Sequence, residues 1–291
     1  MTAMRAGSMR IEKTSEIGLC FGVRRAIDIV EKAAREHGGV ETLGAVAHNR
    51  QVVRKLAEIG VRVASDIDDI KGDIVAISSH GISPQLEEEI QSRHINIINA
   101  TCPFVRRAQI AARRLARSGF LVVVYGDADH PEVKGVLGWA DGNGIATLDD
   151  RFLVKYDHPP RRLGVLSQTT QIPVHFMVFI KKLIDSALDK DSEFRIIDTI
   201  CHDTRNRQTA ALELADKADL MLVIGSYTSA NTNRLAELCS AAAQTHLVET
   251  ADAIQPSWLK GKKYIGVTAG ASTAEQTVDE VIARLGAMIR R

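Results

Sequence analysis

Aromatic side chains are scarce: Phe, Trp and Tyr make up 4% of the 291 residues, too few to build stacking platforms for single-stranded nucleic acid. An excess of one charge is lacking as well. Lys and Arg total 37 against 36 for Asp and Glu, so no net field draws the chain to a polyanion or an anionic lipid surface. The longest apolar runs, such as Phe120 to Tyr125, fall far short of the ~20 residues of a membrane-crossing helix. The opening MTAMRAGSMR has neither an apolar centre nor an export-type cleavage pattern; residues 1–8 read as a frayed leader, with Met9 as a candidate start. Four cysteines without an export signal are too few for a disulfide scaffold and fit a reducing cytoplasm. A GxGxxG fingerprint is missing, which leaves no indication of a nicotinamide site.

What is present is ordinary globular material, 45% hydrophobic and 25% charged. At ~150 residues per domain the length predicts about two domains and allows three small ones. Ile74 to Ile77, Leu121 to Tyr125, Leu163 to Leu166, Leu220 to Ile224 and Tyr264 to Val267 read as buried strands. Between them Val23 to Arg35, Val105 to Arg117, Arg207 to Ala218 and Thr277 to Ile289 carry apolar residues at helical spacing. That alternation predicts an α/β fold, with small parallel sheets covered by helices.

The chain also repeats. Cys20, Cys102 and Cys201 each follow apolar or β-branched residues and precede a helix with Arg in its first turns: GLCFGVRRAIDIV, ATCPFVRRAQIAA and TICHDTRNRQTAA. A spacing of 28 residues separates Cys20 from His48, Cys102 from His130 and Cys201 from Ser229. A second polar strand end recurs as Ser78 to Gly81, Ser167 to Thr170 and Thr268 to Ser272. Three pseudo-threefold-related units follow: 9–100 with Cys20, His48 and His80; 101–200 with Cys102, His130, Glu132 and Thr169; and 201–291 with Cys201, Ser229, Asn231 and Ser272. The C-terminal end is expected to pack back on the first unit. Because ligands bind beyond the carboxyl ends of parallel strands, these loops are expected to line one cavity.

Cys239 sits in an amphipathic helix and reads as core. The other three cysteines form a candidate ligand set for zinc or an iron–sulfur cluster. With three protein ligands a cubane cluster keeps one iron open. His48, His80 and His130 fall at predicted strand ends, whereas His37, His94, His158, His175 and His246 read as solvated. Asn49, Thr169, Thr170, Thr204, Ser229, Asn231 and Ser272 add neutral donors, and together these residues suit a phosphate or diphosphate. Glu132, two residues after His130, is either a proton donor of raised pKa or a first-turn surface carboxylate.

The segments LCFGVRRAI, AHNRQVV, SSHGIS, ATCPFV, HPEVKG, SQTT, TRNRQ, TSANTNRL and GVTAGAS occur in this order between about Met9 and Leu285. In them the chain resembles the 4-hydroxy-3-methylbut-2-enyl diphosphate reductase family, also called IspH or LytB. The resemblance implies a cloverleaf of three α/β domains around a central [4Fe-4S] cluster held by Cys20, Cys102 and Cys201, with one iron not ligated by protein. It places the allylic diphosphate substrate among His48, His80, His130, Ser229, Asn231 and Ser272, with Thr169 and Thr204 nearby and Glu132 as proton relay. An electron donor such as ferredoxin or flavodoxin is implied. The chain departs from the family pattern at Ala230, where a serine is common, and at Phe21, His202 and Lys134, the last expected at the surface. Two other readings compete, a quinolinate synthase-like cluster dehydratase and a non-enzymatic cluster-bearing sensor.

Overall fold

A computed structural model describes residues 3–6, 9–47, 49–156, 160–187 and 191–290. His48 and His158 lie outside the described residues, as do residues 1, 2, 7 and 8 of the expected leader. In chain order, β1 (Ala3–Ala6) and β2 (Met9–Lys13) precede α1 (Phe21–His37), β3 (Val40–Leu43), α2 (Arg50–Glu58), β4 (Val61–Ala64), β5 (Ile74–Ile77), α3 (Pro84–Ser92) and β6 (Asn96–Asn99). Then come α4 (Pro103–Arg117), β7 (Leu121–Tyr125), α5 (Pro131–Gly138), β8 (Gly144–Thr147), β9 (Arg162–Ser167), α6 (Pro173–Ala187) and β10 (Glu193–Ile197). The last run is α7 (His202–Ala215), β11 (Leu220–Ile224), α8 (Ala230–Ser240), β12 (Gln244–Val248), β13 (Tyr264–Ala269) and α9 (Glu275–Ile289).

These strands form three sheets with one shared order: β4-β3-β5-β6, β8-β7-β9-β10 and β12-β11-β13-β2. All pairings within these three sets of four are parallel. In each set the fourth strand runs into a cysteine: β6 into Cys102, β10 into Cys201 and β2 into Cys20. The third sheet thus takes its fourth strand from the N-terminal part of the chain. Beyond it β1 adds an antiparallel strand, Ala3 opposite Glu12 and Ala6 opposite Met9. Residues 3–6 are therefore a strand rather than a frayed leader. Their backbone satisfies the open edge of β2, a role that needs no apolar signature.

The chain divides into two compact units, one made of residues 1–24, 47–53 and 202–291 and the other of 25–46 and 54–201. The first contains the five-stranded sheet and the second the two four-stranded sheets. Central strands are buried on both faces, as parallel sheets covered by helices require. In β11, Leu220, Leu222 and Ile224 pack with Val278, Val281 and Leu285 of α9. Met221 and Val223 turn the other way, against Leu214 of α7 and Leu235 and Cys239 of α8. In β7, Val122 and Val124 meet α4 and α5 through Ala108, Leu115, Val133 and Val136, while Val123 and Tyr125 meet Phe176, Phe179 and Leu183 of α6.

The helices begin where local chemistry starts them. Pro84, Pro103 and Pro131 each open a helix, where the missing N–H costs nothing. Ser83 and Ser229 accept the orphan amides of Leu86 and Thr232. The helix expected from Arg207 starts earlier, at His202, and ends at Ala215. Its polar opening, HDTRNRQ, concealed the start because the buried positions Thr204, Arg207 and Gln208 are themselves polar.

Candidate functional site

The three repeated cysteines share one local construction. The amide of Cys102 donates to Ser79 O at 3.0 Å, that of Cys201 to Thr169 O at 3.0 Å, and that of Cys20 to Ala271 O at 2.8 Å. Ser79, Thr169 and Ala271 belong to the polar loops that end β5, β9 and β13, the third strand of each sheet. Each cysteine is thus tied by its backbone to its neighbouring strand's loop, and each immediately precedes a helix. All three are half-buried thiols outside any disulfide. A helix N-terminus favours the thiolate, the form that binds metal.

Cys20 shows the competing forces. Burial pushes its thiol up, with Asp203 adding to the rise, while the Val23 amide and the charge of Arg207 work against it. The Val23 N–H points at Cys20 Sγ at 3.4 Å, and Asp203 accepts the amide of Phe21 at 3.0 Å. Among the described residues, no three His, Cys, Asp or Glu side chains gather closely enough to share one metal ion. A multi-iron cluster places each thiolate on a different iron, and a half-buried thiol at each of three helix starts suits that demand.

In the unit of residues 25–46 and 54–201, the HPEVKG and SQTT segments meet. His130 caps α5, its Nδ1 accepting the Glu132 amide at 3.1 Å. Nδ1 is then the acceptor, so the neutral ring carries its proton on Nε2 and presents a donor there. The His80 ring stands edge-on to His130, centroids 5.4 Å apart, and Ser78 Oγ lies 3.4 Å from His80 Nδ1. Gly81, which follows, has φ +69°, and a Cβ there would strike the Gln109 amide. Only glycine fits this turn.

Glu132 is 2% exposed, not the surface carboxylate that its first-turn position allowed. Its Oε1 accepts the Thr169 amide at 2.6 Å and its Oε2 the Thr169 hydroxyl at 2.8 Å. Thr169 thereby links the carboxylate to Cys201 through its own carbonyl. Lys134 is at the surface, beside Asp129.

In the unit of residues 1–24, 47–53 and 202–291, Arg207 is the buried centre. It donates to Glu16 O at 2.9 Å and to Gly18 O and Ala269 O, each at 3.0 Å. The loop leading to Cys20 is thus bound to the end of β13. Asn49 donates to Ser272 O at 2.8 Å and caps α2 with its carbonyl oxygen, which accepts the Gln51 and Val52 amides. Ser229 caps α8, and Asn231 and Thr232 follow in its first turn, all three buried. Among the described residues Asn231 Nδ2 and Thr232 Oγ1 are buried without a hydrogen-bond partner, and an unsatisfied amide donor beside a helix N-terminus suits an anionic ligand. Thr204 and Ser272 are buried in the same unit.

The sequence alone did not single out Arg207, Asp203 or Gln109. A signal for the first was available: Thr204, Arg207, Gln208 and Ala211 recur at helical spacing where an apolar stripe is expected, so one face of α7 had to bury polar groups. Cys239 is buried in α8 as expected, and desolvation pushes its thiol up to about 12. His246, expected to be solvated, lies on β12 and stacks on Trp258 with ring centroids 3.9 Å apart.

A family profile described as LytB protein matches residues 11–286. A Dehalococcoides mccartyi protein named 4-hydroxy-3-methylbut-2-enyl diphosphate reductase is 56% identical over 280 residues, 96% of this chain and 99% of the relative. A Geobacter sulfurreducens protein of the same name is 41% identical over 278 residues, 95% of this chain and 97% of the relative. The solved structure of the Plasmodium falciparum E-1-hydroxy-2-methyl-but-2-enyl-4-diphosphate reductase superposes with a TM-score of 0.88 at 27% identity, covering 94% of this chain and 86% of that one. With the profile spanning nearly the whole length and relatives aligned almost end to end, this chain belongs to the LytB family.

Proposed function

We propose that the chain reduces (E)-4-hydroxy-3-methylbut-2-enyl diphosphate to isopentenyl and dimethylallyl diphosphate, the last step of the non-mevalonate isoprenoid pathway. The near full-length identity to proteins named for this activity supports the reaction class, and neither a dehydratase nor a sensor reading has comparable support. The observation that carries the site is the buried pair of Glu132 and Thr169, whose carbonyl also holds the amide of Cys201. It joins an acid–base group to a cysteine of the repeated set.

Cys20, Cys102 and Cys201 are the proposed ligands, one from each of three repeated α/β units, with the [4Fe-4S] form and one iron free of protein as the finer reading. When bound, that cluster supplies electrons and a Lewis-acidic site for the hydroxyl that leaves. The reaction takes up two electrons and two protons, breaks the C–O bond and releases water. The remaining work falls to the polypeptide. His130, as the Nε2–H tautomer, and His80 beside it are the proposed donors to diphosphate oxygens. Ser229, Asn231, Ser272 and His48 complete the anion-binding set, with Thr204 nearby. The Thr169 hydroxyl passes a proton between Glu132 Oε2 and the departing oxygen. Among the described residues no helix is long and apolar enough to cross a membrane. Thiols kept out of disulfides fit action in the cytoplasm.

The experiment is anaerobic reconstitution, with iron and sulfide analysis and turnover of the diphosphate by reduced methyl viologen. Formation of both five-carbon diphosphates is expected. A reconstituted protein that holds iron and sulfide yet forms neither product refutes the assignment.

A further inference from the structure

The chain as a whole is nearly neutral, at +1, but α4 is not. Its 15 residues hold Arg106, Arg107, Arg113, Arg114 and Arg117 and no Asp or Glu. Among the described residues none of the five forms an ion pair. Arg106 and Arg113 are packed over Trp139, 4.2 and 5.1 Å from its ring centroid. Arg107, Arg114 and Arg117 are exposed. With Pro103 and Ile110 they fall at successive spacings of three or four residues, a single stripe that at 1.5 Å per residue runs about 20 Å along the helix.

A groove of about 450 Å³ lies along this stripe, lined by Pro103, Arg106, Arg107, Ile110, Arg114 and Ile197. Its floor is apolar and its rim is arginine, the anatomy of a protein–protein interface with a dry centre and a charged margin. The stripe begins at the residue after Cys102. Arg113 and Arg117 share a neighbouring pocket with Glu87, Glu88 and Asp141, whereas no acidic side chain lines the groove beside Arg107 and Arg114, and positive charge so placed attracts an anionic partner.

We infer that α4 is the docking face for an acidic electron-carrier protein of the ferredoxin class. This rests on the reductase reading, which requires electrons from outside the chain. Each encounter oxidises one reduced carrier and delivers one electron; two encounters, with two protons, account for the hydroxyl lost as water. The acidic patch of the carrier meets Arg107 and Arg114, an apolar contact fills the floor at Ile110 and Ile197, and the carrier is brought to the segment that opens at Cys102. Nucleic acid is the poorer occupant, because the cationic stripe is confined to one helix and no aromatic platform accompanies it.

Calorimetry of the reconstituted holoprotein with an oxidised acidic plant-type ferredoxin tests the inference at two salt concentrations. Wild-type binding is expected to weaken with salt. R107E/R114E is expected to lower affinity and ferredoxin-driven kcat/KM by about tenfold or more and to flatten the salt dependence. The same variant is expected to keep the wild-type thermal midpoint and to turn over with reduced methyl viologen at a rate within about twofold of wild type, since rim charges act mainly on encounter. R107S/R114S, which removes charge without reversing it, is expected to fall between the two. Unchanged ferredoxin affinity in the folded charge-reversal variant overturns the proposal. Arginine-dependent binding of duplex DNA or RNA by a wild-type protein that ignores ferredoxin overturns it equally. Loss of methyl viologen turnover in wild type removes the reductase reading instead, because binding of the oxidised carrier is measured without turnover.

Discussion

Both carboxylate oxygens of Glu132 are bonded to Thr169, one to its amide at 2.6 Å and the other to its hydroxyl at 2.8 Å. A carboxylate that only favoured a helix dipole would sit in water at the first turn; this one is buried and held at both oxygens. The arrangement fixes the acid while leaving the Thr169 oxygen able to hand a proton onward.

Glu132→Gln keeps the size of the side chain but removes the exchangeable acid. Single-turnover reduction with a chemical reductant is expected to fall by ~10²-fold or more, with substrate affinity and iron content close to wild type. A rate within about threefold of wild type excludes the relay, since a general acid contributes far more than that.

Changing Cys20, Cys102 or Cys201 singly to Ser is expected to lower iron and sulfide content and abolish most turnover. Cys239→Ser is expected to do neither, and to cost about 1–3 kcal/mol of stability from a hydroxyl buried in an apolar contact. The Cys239 thiol, pushed up to about 12 by burial, should resist alkylation until the protein unfolds. Equal loss of iron in Cys239→Ser breaks the repeat argument.

His80→Ala and His130→Ala each remove a donor of the proposed diphosphate pocket, and the loss in affinity for the substrate is expected to be about 1–3 kcal/mol. The cluster content should not change. His130→Ala also uncaps α5, so its thermal midpoint is expected to fall more than that of His80→Ala. Calorimetric titration separates these effects, and unchanged diphosphate binding in both variants contradicts the pocket.

Asp219 predicts a pH dependence away from the site. The amides of Lys263 and Tyr264 donate to its carboxylate at 2.9 Å each and hold it below the usual range. A depressed folded pKa contributes stability that is present above the ordinary carboxylate pKa and lost as pH falls through the depressed value. Asp219→Asn is therefore expected to be less stable than wild type at neutral pH, with the gap closing in acid. The group is exposed, so the gap is small and shrinks with salt. Urea unfolding at neutral and acidic pH measures it, and a gap that widens in acid reverses the sign and refutes the argument.

The sequence by itself determined the local elements and the candidate chemistry. Runs such as Leu220 to Ile224 and Leu121 to Tyr125 are strands at the expected limits, because a fully buried parallel strand needs uninterrupted apolar residues. The place of three cysteines before three helices was legible from spacing alone. Tertiary structure decided what those elements join. Nothing in the composition of Met9 to Lys13 says that it completes the sheet of β11, β12 and β13, since strand edges offer the same backbone groups to any partner and local periodicity carries no address. Nor does an arginine in a polar helix declare that it will bind Glu16, Gly18 and Ala269, because a polar residue facing a buried network and one facing water read alike until the fold places its surroundings. The burial of Glu132 was hidden for the same reason: its position in a first turn is common to surface and site, and only the approach of Thr169 from another strand's end separates them.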